Sequence, residues 1–127
     1  MYIKEHTYKD YSGNERTETF LFNLSQAELM EMELDSNGFE QYVQRVISSQ
    51  DGHEIKELFK KILLMSYGER SLDGKYFYKS EELTNKFKAT RAYSDLFMLF
   101  ATNAEAAAEF VNGLVADDDD EITAVNK

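Results

Sequence analysis

The side chains that could catalyse a reaction or hold an ion are few in this sequence and widely separated. There are two histidines, His6 and His53, and no cysteine. A zinc site takes about four ligands, so the remaining ones would have to come from scattered carboxylates. The chain has neither a HisGluXxxXxxHis motif nor a glycine-rich phosphate loop. The sequence therefore predicts no catalytic, cofactor-binding or metal-binding residue, and a protein that is not an enzyme.

Two acidic stretches were candidates for cation binding. Residues 35–38, AspSerAsnGly, resemble the start of a calcium loop, but position six is Glu40 instead of glycine and position twelve is Val46 instead of glutamate. Residues 117–121 are four aspartates followed by a glutamate. Such a run of like charges is typical of a solvated tail. Neither stretch predicts a metal site.

The net charge of the chain excludes one large class of partners. The formal charge is −10, whereas binding to nucleic acid through phosphates requires clustered lysine and arginine. The longest unbroken apolar run, Leu96 to Ala101, is far shorter than the about 20 residues of a membrane span. The first residues lack the apolar region of a signal peptide. We expect a soluble cytoplasmic protein that contacts neither nucleic acid nor membrane.

The elements that would carry any binding surface fit one α+β domain that is mostly helical. A chain of this length suits a single domain, predicted here over residues 1–115. Residues 116–127 contain too few apolar side chains to order themselves and are predicted to be a disordered acidic tail. Tyr2–Tyr8 and Thr17–Asn23 are rich in aromatic and β-branched residues, which predicts an N-terminal β-hairpin with Phe20 and Phe22 facing the helices.

The hairpin is expected to pack on a bundle of five to six short helices. A capping box of Ser25 and Glu28 begins the first helix. AspSerAsnGly at 35–38 is expected to end it, because Asn37 and Gly38 tolerate the left-handed conformation. Asp51, Ser80 and Asn103 are predicted to cap later helices, and a loop or small hairpin at 69–79 turns at Asp73 and Gly74. The predicted helices cover, approximately, residues 25–34, 39–49, 51–67, 80–89, 91–101 and 103–113. The last is expected to bury Ala104, Ala107, Ala108 and Val111 and to end at Gly113.

The segment 91–101 is the most apolar of these helices. One face is formed at i, i+3, i+4 and i+7 by Tyr93, Leu96, Phe97 and Phe100. Met98 and Leu99 lie outside this stripe, so the helix is apolar around most of its circumference. Such a helix either lies in the centre of a core or contacts a partner as well. Both interpretations remain open at this point.

Six residues are therefore candidates for a protein interface. Methionine adapts to varied partner surfaces because its side chain is flexible and polarizable, and the first helix carries two. The candidates are Tyr93, Leu96, Met98 and Leu99 on the fifth helix, and Met30 and Met32 on the first.

Three segments, taken in order and spacing, resemble those of a known protein family. They are FNLSQAELMEMEL at 22–34, YGERSLDGKYFYKS at 67–80, and AYSDLFMLFA with AEAAAEFVNG at 92–113. Together they are similar to the tail assembly chaperones of long-tailed, siphovirus-type phages and prophages of Gram-positive bacteria. The similarity extends over residues 8–114 and does not include the acidic end.

The resemblance implies a non-enzymatic function without a cofactor. Members of that family bind and solubilise the tape measure protein in the host bacterial cytoplasm, are displaced as the tube of major tail protein grows, and are absent from the mature virion. The tape measure protein is thus the expected partner, with the major tail protein as a second. Because Met98 and Leu99 lie outside the apolar stripe, we also expect a homo-oligomer that buries part of the surface of residues 91–114 between subunits.

The alternative is an acidic DNA mimic that inhibits a DNA-binding protein, but the densest carboxylates here fall on the predicted tail instead of on rigid elements.

Overall fold

The computed structural model describes residues 1–116, and these form a four-stranded antiparallel sheet with six helices. The elements in chain order are β1 (Tyr2–Lys9), β2 (Glu15–Phe22), α1 (Gln26–Glu31), α2 (Ser36–Ser48), α3 (Gly52–Ser66), β3 (Tyr67–Arg70), β4 (Phe77–Tyr78), α4 (Glu81–Lys88), α5 (Arg91–Thr102) and α6 (Ala104–Leu114). The predicted α+β class, with an N-terminal hairpin on helices, is confirmed. The acidic tail from residue 117 onward lies outside the described residues, so the boundary at residue 115 stays a prediction.

The β1–β2 hairpin forms one half of the sheet. Its register runs from Tyr2 opposite Phe22 to Lys9 opposite Glu15. Asp10 holds the turn, because its Oδ1 accepts hydrogen bonds from the backbone N–H groups of Ser12 and Asn14, both at 2.9 Å. The carboxylate of Asp10 thereby replaces the strand pairing that ends there.

The second half of the sheet comes from the segment that the sequence left open between loop and small hairpin. β3 pairs with β2 through Gly68 opposite Leu21, and β4 pairs with β3, so the strand order is β1-β2-β3-β4. The β3–β4 turn lies at Asp73 and Gly74, as predicted. A Cβ on Gly68 would lie 2.5 Å from the carbonyl oxygen of Tyr78. Glycine is therefore required where β4 lies against β3.

The helix-facing side of the sheet meets a core of aromatic rings. Phe20 and Phe22 are buried there, as predicted. The ring of Tyr2 lies 5.1 Å from that of Phe110 and 5.9 Å from that of Phe100, both edge-on. Phe100 and Phe110 stack on each other at 4.3 Å. Phe87 of α4 contacts Phe20, Phe22 and Tyr67 as well. The sheet is thus attached to α4, α5 and α6 through aromatic contacts.

The boundary between α1 and α2 differs from the prediction. α1 ends at Glu31, and Glu33, not Gly38, adopts the left-handed conformation, with φ of 60°. Asp35 caps α2 by accepting a hydrogen bond from the N–H of Gly38 at 2.6 Å. Gly38 is therefore inside the first turn of α2, because an aspartate cap stabilises a helix start more than glycine favours a stop.

The later helices begin where the sequence placed them. Asp51, Ser80 and Asn103 each accept a hydrogen bond from the first turn of α3, α4 and α6. The buried face of α6 was predicted only in part: Ala107 and Val111 are buried, but Ala104 and Ala108 are exposed. The other buried residues are Phe110 and Leu114, and Gly113 lies within α6 instead of ending it.

Candidate functional site

α5 presents one large apolar side chain to solvent. Met98 is 55% exposed and lies on the helix face that also carries Asp95 and Thr102. The Oδ2 of Asp95 is 2.9 Å from the Nε2 of His6 on β1, so its carboxylate is engaged within the domain. Leu99, the neighbour of Met98, is partly buried against the core. Met98 is therefore the residue of this pair that a partner could reach without rearrangement.

The other two α5 candidates lie deeper. Leu96 has no exposed surface, so it stabilises the core and presents nothing to a partner in this conformation. Tyr93 is partly buried, with its ring edge-on to that of Phe87 at 5.5 Å. Burial, together with the nearby charge of Glu57, raises the pKa of its hydroxyl. Tyr93 thus remains neutral and serves chiefly as a packing residue, with only its edge accessible.

α1 carries the most exposed methionine of the candidate set. Met30 is 75% exposed, whereas Met32, at the C-terminal cap of α1, is partly buried against the core. α1 packs chiefly on α2, while α5 packs on α3, α4, α6 and β1. The structure therefore places Met30 and Met98 on helices with different neighbours.

Met30 lies at a cleft between α1 and the start of α2. The volume of this cleft is about 310 Å³. Its apolar lining comes from Leu29, Met30 and Leu34. Asp35, Ser36 and Asn37 form the polar side. We call it the α1–α2 cleft, and it is large enough to accept one apolar side chain of a partner.

A wider groove continues from the cleft. Asn37 lines both, and the groove runs between α2 and α6 with a volume of about 780 Å³. Its α2 side is polar, with Glu40, Gln41 and Gln44, whereas its α6 side includes the small Ala108. We call it the α2–α6 groove. Its polar walls argue against a buried small-molecule site.

One ion pair fastens α1 to the sheet. The Nζ of Lys79 donates to the Oε2 of Glu28 and to the carbonyl oxygen of Asn23, each at 2.6 Å. Burial alone would raise the pKa of the Glu28 carboxyl, but the hydrogen bonds from Lys79 and from the N–H of Ser25 outweigh it, and the pKa is lowered. The carboxylate of Glu28 is thus charged and is held within the domain by these hydrogen bonds.

No feature of the described region supports bound-metal chemistry or membrane insertion. Among residues 1–116, no group of three or more histidine, cysteine, aspartate or glutamate side chains is placed to hold a metal ion. The helices of this same region lack the length and apolar character needed to cross a bilayer. Shape and surface chemistry are what the site offers.

Sequence reasoning selected Met30 but missed the cleft beside it. The helical pattern over residues 25–34 does not predict the turn at Glu33, where the N–H of Leu34 donates to the carbonyl oxygen of Leu29 at 3.0 Å. A usable indication was present, since residues 17–44 contain six acidic residues and no lysine or arginine. Such a charge imbalance beside exposed methionines indicates a binding surface.

Comparison with known proteins identifies the family. A family model described as phage tail assembly chaperone matches residues 1–124, which is nearly the whole chain. No curated protein and no solved structure matches significantly. The match extends beyond the residues that carried the resemblance, since it includes β1 and most of the acidic end. The chain therefore belongs to the phage tail assembly chaperone family, and its role is that of a chaperone in the assembly of phage tails.

Proposed function

We propose that this chain binds the tape measure protein of a siphovirus-type phage or prophage of Gram-positive bacteria and keeps it soluble while the tail tube assembles. The function is non-enzymatic, takes place in the host cytoplasm, and ends before the virion is complete. Family membership supports the general role, and one structural observation supports the client-binding part. Met98 and Met30 are both largely exposed, on different helices.

Exposed methionines suit a partner that must be covered and later released. A long helical protein made before its tube exists exposes apolar surface that associates wrongly unless it is covered. Coverage by many weak contacts is reversible, because the affinity of an array exceeds that of each subunit. Methionine supports such contacts, since it adapts to different client side chains.

The same argument requires several copies on one client, so we infer that the chain acts as a homo-oligomer. The surface of α5 around Met98 is our candidate for the contact between subunits or with the client. Major tail protein subunits would then replace the chaperone as the tube grows.

Co-expression tests the proposed function directly. The cognate tape measure protein is produced in bacteria with and without this chain, and the soluble fraction is measured before pull-down through a tag on the chaperone. We expect soluble, co-purifying tape measure protein only when the chaperone is present. Equal solubility in both cultures, without co-purification, would show that the proposal is wrong.

Light scattering tests the oligomer separately. The wild-type chain is expected to associate at high micromolar concentration, and Met98→Asp is expected to weaken association without unfolding, because Met98 is already 55% exposed. Leu99→Asp is a poorer test, since Leu99 also packs on the core. A strictly monomeric wild-type chain, with and without a tape measure fragment, would contradict the oligomer.

A further inference from the structure

The α1–α2 cleft combines an apolar interior with uncompensated negative charge. Leu29 and Leu34 line it and Met30 lies on its rim. Glu31 follows Met30 in the sequence and Glu33 precedes Leu34, two residues that line the cleft, and both glutamates are exposed. Within residues 1–116 neither of them forms an ion pair, although Glu28 is held by Lys79 and Asp35 caps α2. Two carboxylates are thus available next to a place for an apolar side chain.

We propose that the α1–α2 cleft binds a basic amphipathic helix of the client, with one apolar anchor residue in the cleft and lysine or arginine side chains against Glu31 and Glu33. This inference rests on the proposed function and deepens it, because it states the chemistry of the client segment that is recognised.

The shape of the surface selects a helix. The α1–α2 cleft and the α2–α6 groove share Asn37, in the first turn of α2, as a lining residue. α2 has 13 residues and is therefore about 20 Å long, which matches some four turns of a bound helix. On the opposite wall Ala108 is small and exposed, so a helix backbone can approach closely. Helix-in-groove binding uses this combination of an apolar anchor and a long shallow groove.

The charge of the surface selects a basic helix. Residues 17–44 contain no lysine or arginine. Nothing along this stretch therefore attracts an acidic partner or offsets its repulsion by the carboxylates. In the α2–α6 groove Glu40 is balanced by Arg45, so the negative charge that selects a basic helix comes from Glu31 and Glu33. Complementary charge across an interface speeds association and excludes partners of the wrong sign. An acidic or uncharged helix would leave these carboxylates facing apolar or like-charged surface.

A synthetic probe tests the inference without the tape measure protein. The probe is a fluorescein-labelled, capped peptide of leucine and lysine, about 14 residues long, with leucine at i, i+3, i+4 and i+7. A second peptide has glutamate in place of every lysine, and a third has the first composition in shuffled order without an apolar face. Binding to the full-length chain is measured by fluorescence anisotropy.

Charge-neutralising and anchor variants locate the site. We expect Glu31→Gln with Glu33→Gln to weaken binding of the lysine peptide by about fivefold or more, and Met30→Ser by about tenfold. Matched controls are Glu5→Gln with Glu15→Gln, which removes the same charge from the outer sheet face, and Leu72→Ser, which removes another exposed apolar residue. Both controls should bind within about twofold of wild type. Circular dichroism verifies that each variant is folded.

Every outcome decides the question. Tight binding of the lysine peptide, with the losses confined to the cleft variants, supports the inference. Absent binding, equal binding of the shuffled or glutamate peptide, or equal losses in the controls would each overturn it. The proposed function can fail independently. A wild-type chain that binds the peptide but does not solubilise the tape measure protein would support the peptide site and contradict the proposed client. A cleft variant that loses peptide binding but still solubilises the tape measure protein fully would support the proposed function and contradict the cleft as the site that binds the client.

Discussion

Two regions of this domain use their large apolar residues in opposite ways. The first, which we call the aromatic layer, consists of Tyr2, Phe22, Tyr67, Phe87, Phe100 and Phe110. Phe22 alone contacts four other rings of the layer, at centroid distances of 5.5 to 6.2 Å. The second region is α1, whose six residues bury only Leu29, while Met30 is 75% exposed.

The difference separates stability from recognition. Rings that are fully surrounded contribute burial and edge-on contacts, and they have no surface left for a partner. A short helix with one buried residue contributes little to the global free energy of unfolding, but its exposed side chains can contact another protein without disturbing the core. The exposed face of α1 is thus where surface chemistry can change at small cost in stability.

Truncating one large apolar side chain in each region should give the largest contrast. Phe22→Ala deletes a side chain with no exposed surface and leaves a cavity among four rings, so we expect a loss of about 3–5 kcal/mol in the free energy of unfolding. Met30→Ala should change it by less than about 0.5 kcal/mol. Urea unfolding followed by circular dichroism measures both, and similar losses would mean that α1 is part of the core.

A glycine pair sharpens the comparison at the sheet. In Gly68→Ala the new Cβ would lie 2.5 Å from the backbone oxygen of Tyr78, so β4 must shift, and we expect a loss of about 1–3 kcal/mol. Gly52→Ala is the control, because a Cβ there meets no atom within 4 Å. Thermal unfolding should show a lower midpoint for the first variant and an unchanged or higher one for the second.

The ion pair between Glu28 of α1 and Lys79, which follows β4, should give the smallest effect, visible through pH. Because the pKa of Glu28 is lowered in the fold, its carboxylate stabilises the domain above its unfolded pKa, and this contribution is lost as the pH falls through the folded pKa. Glu28→Gln should therefore lose less stability than wild type between about pH 5 and pH 3. The expected difference is about 0.5–1 kcal/mol, because the Glu28 side chain is 33% exposed and partly screened. Parallel urea midpoints at the two pH values would contradict it.

Local chemistry explains what the sequence predicted well. The capping positions Ser25, Asp51, Ser80 and Asn103 need only a side-chain oxygen within three residues of an unpaired N–H, and all four were located in advance. Alternation on β2 was equally local, and it assigned Phe20 and Phe22 to the core. These features depend on neighbours along the chain, so the sequence pattern alone predicts them.

Features that depend on distant contacts could not be predicted. The pairing of Gly68 with Leu21 joins segments separated by three helices, and a four-residue strand has no periodicity that reveals its partner. Met98 and Leu99 both lie outside the predicted apolar stripe of α5, yet Met98 is 55% exposed and Leu99 is partly buried against the core. Only the packing of α5 against its neighbours decides between them. The interface role of the candidate residues stays a prediction.

The position of Gly113 beside Tyr2 fixes where the polypeptide enters and leaves the domain. A Cβ on Gly113 would lie 3.0 Å from the Cβ of Tyr2, and the N–H of Leu24 donates to the carbonyl oxygen of Leu114 nearby, at 3.1 Å. Anything joined before residue 1 or after residue 116 therefore starts from the same corner. A circular permutant that links residue 116 to residue 1 and opens at the Asp10 to Asn14 turn is therefore expected to retain the fold, because the new connection spans one corner of the domain.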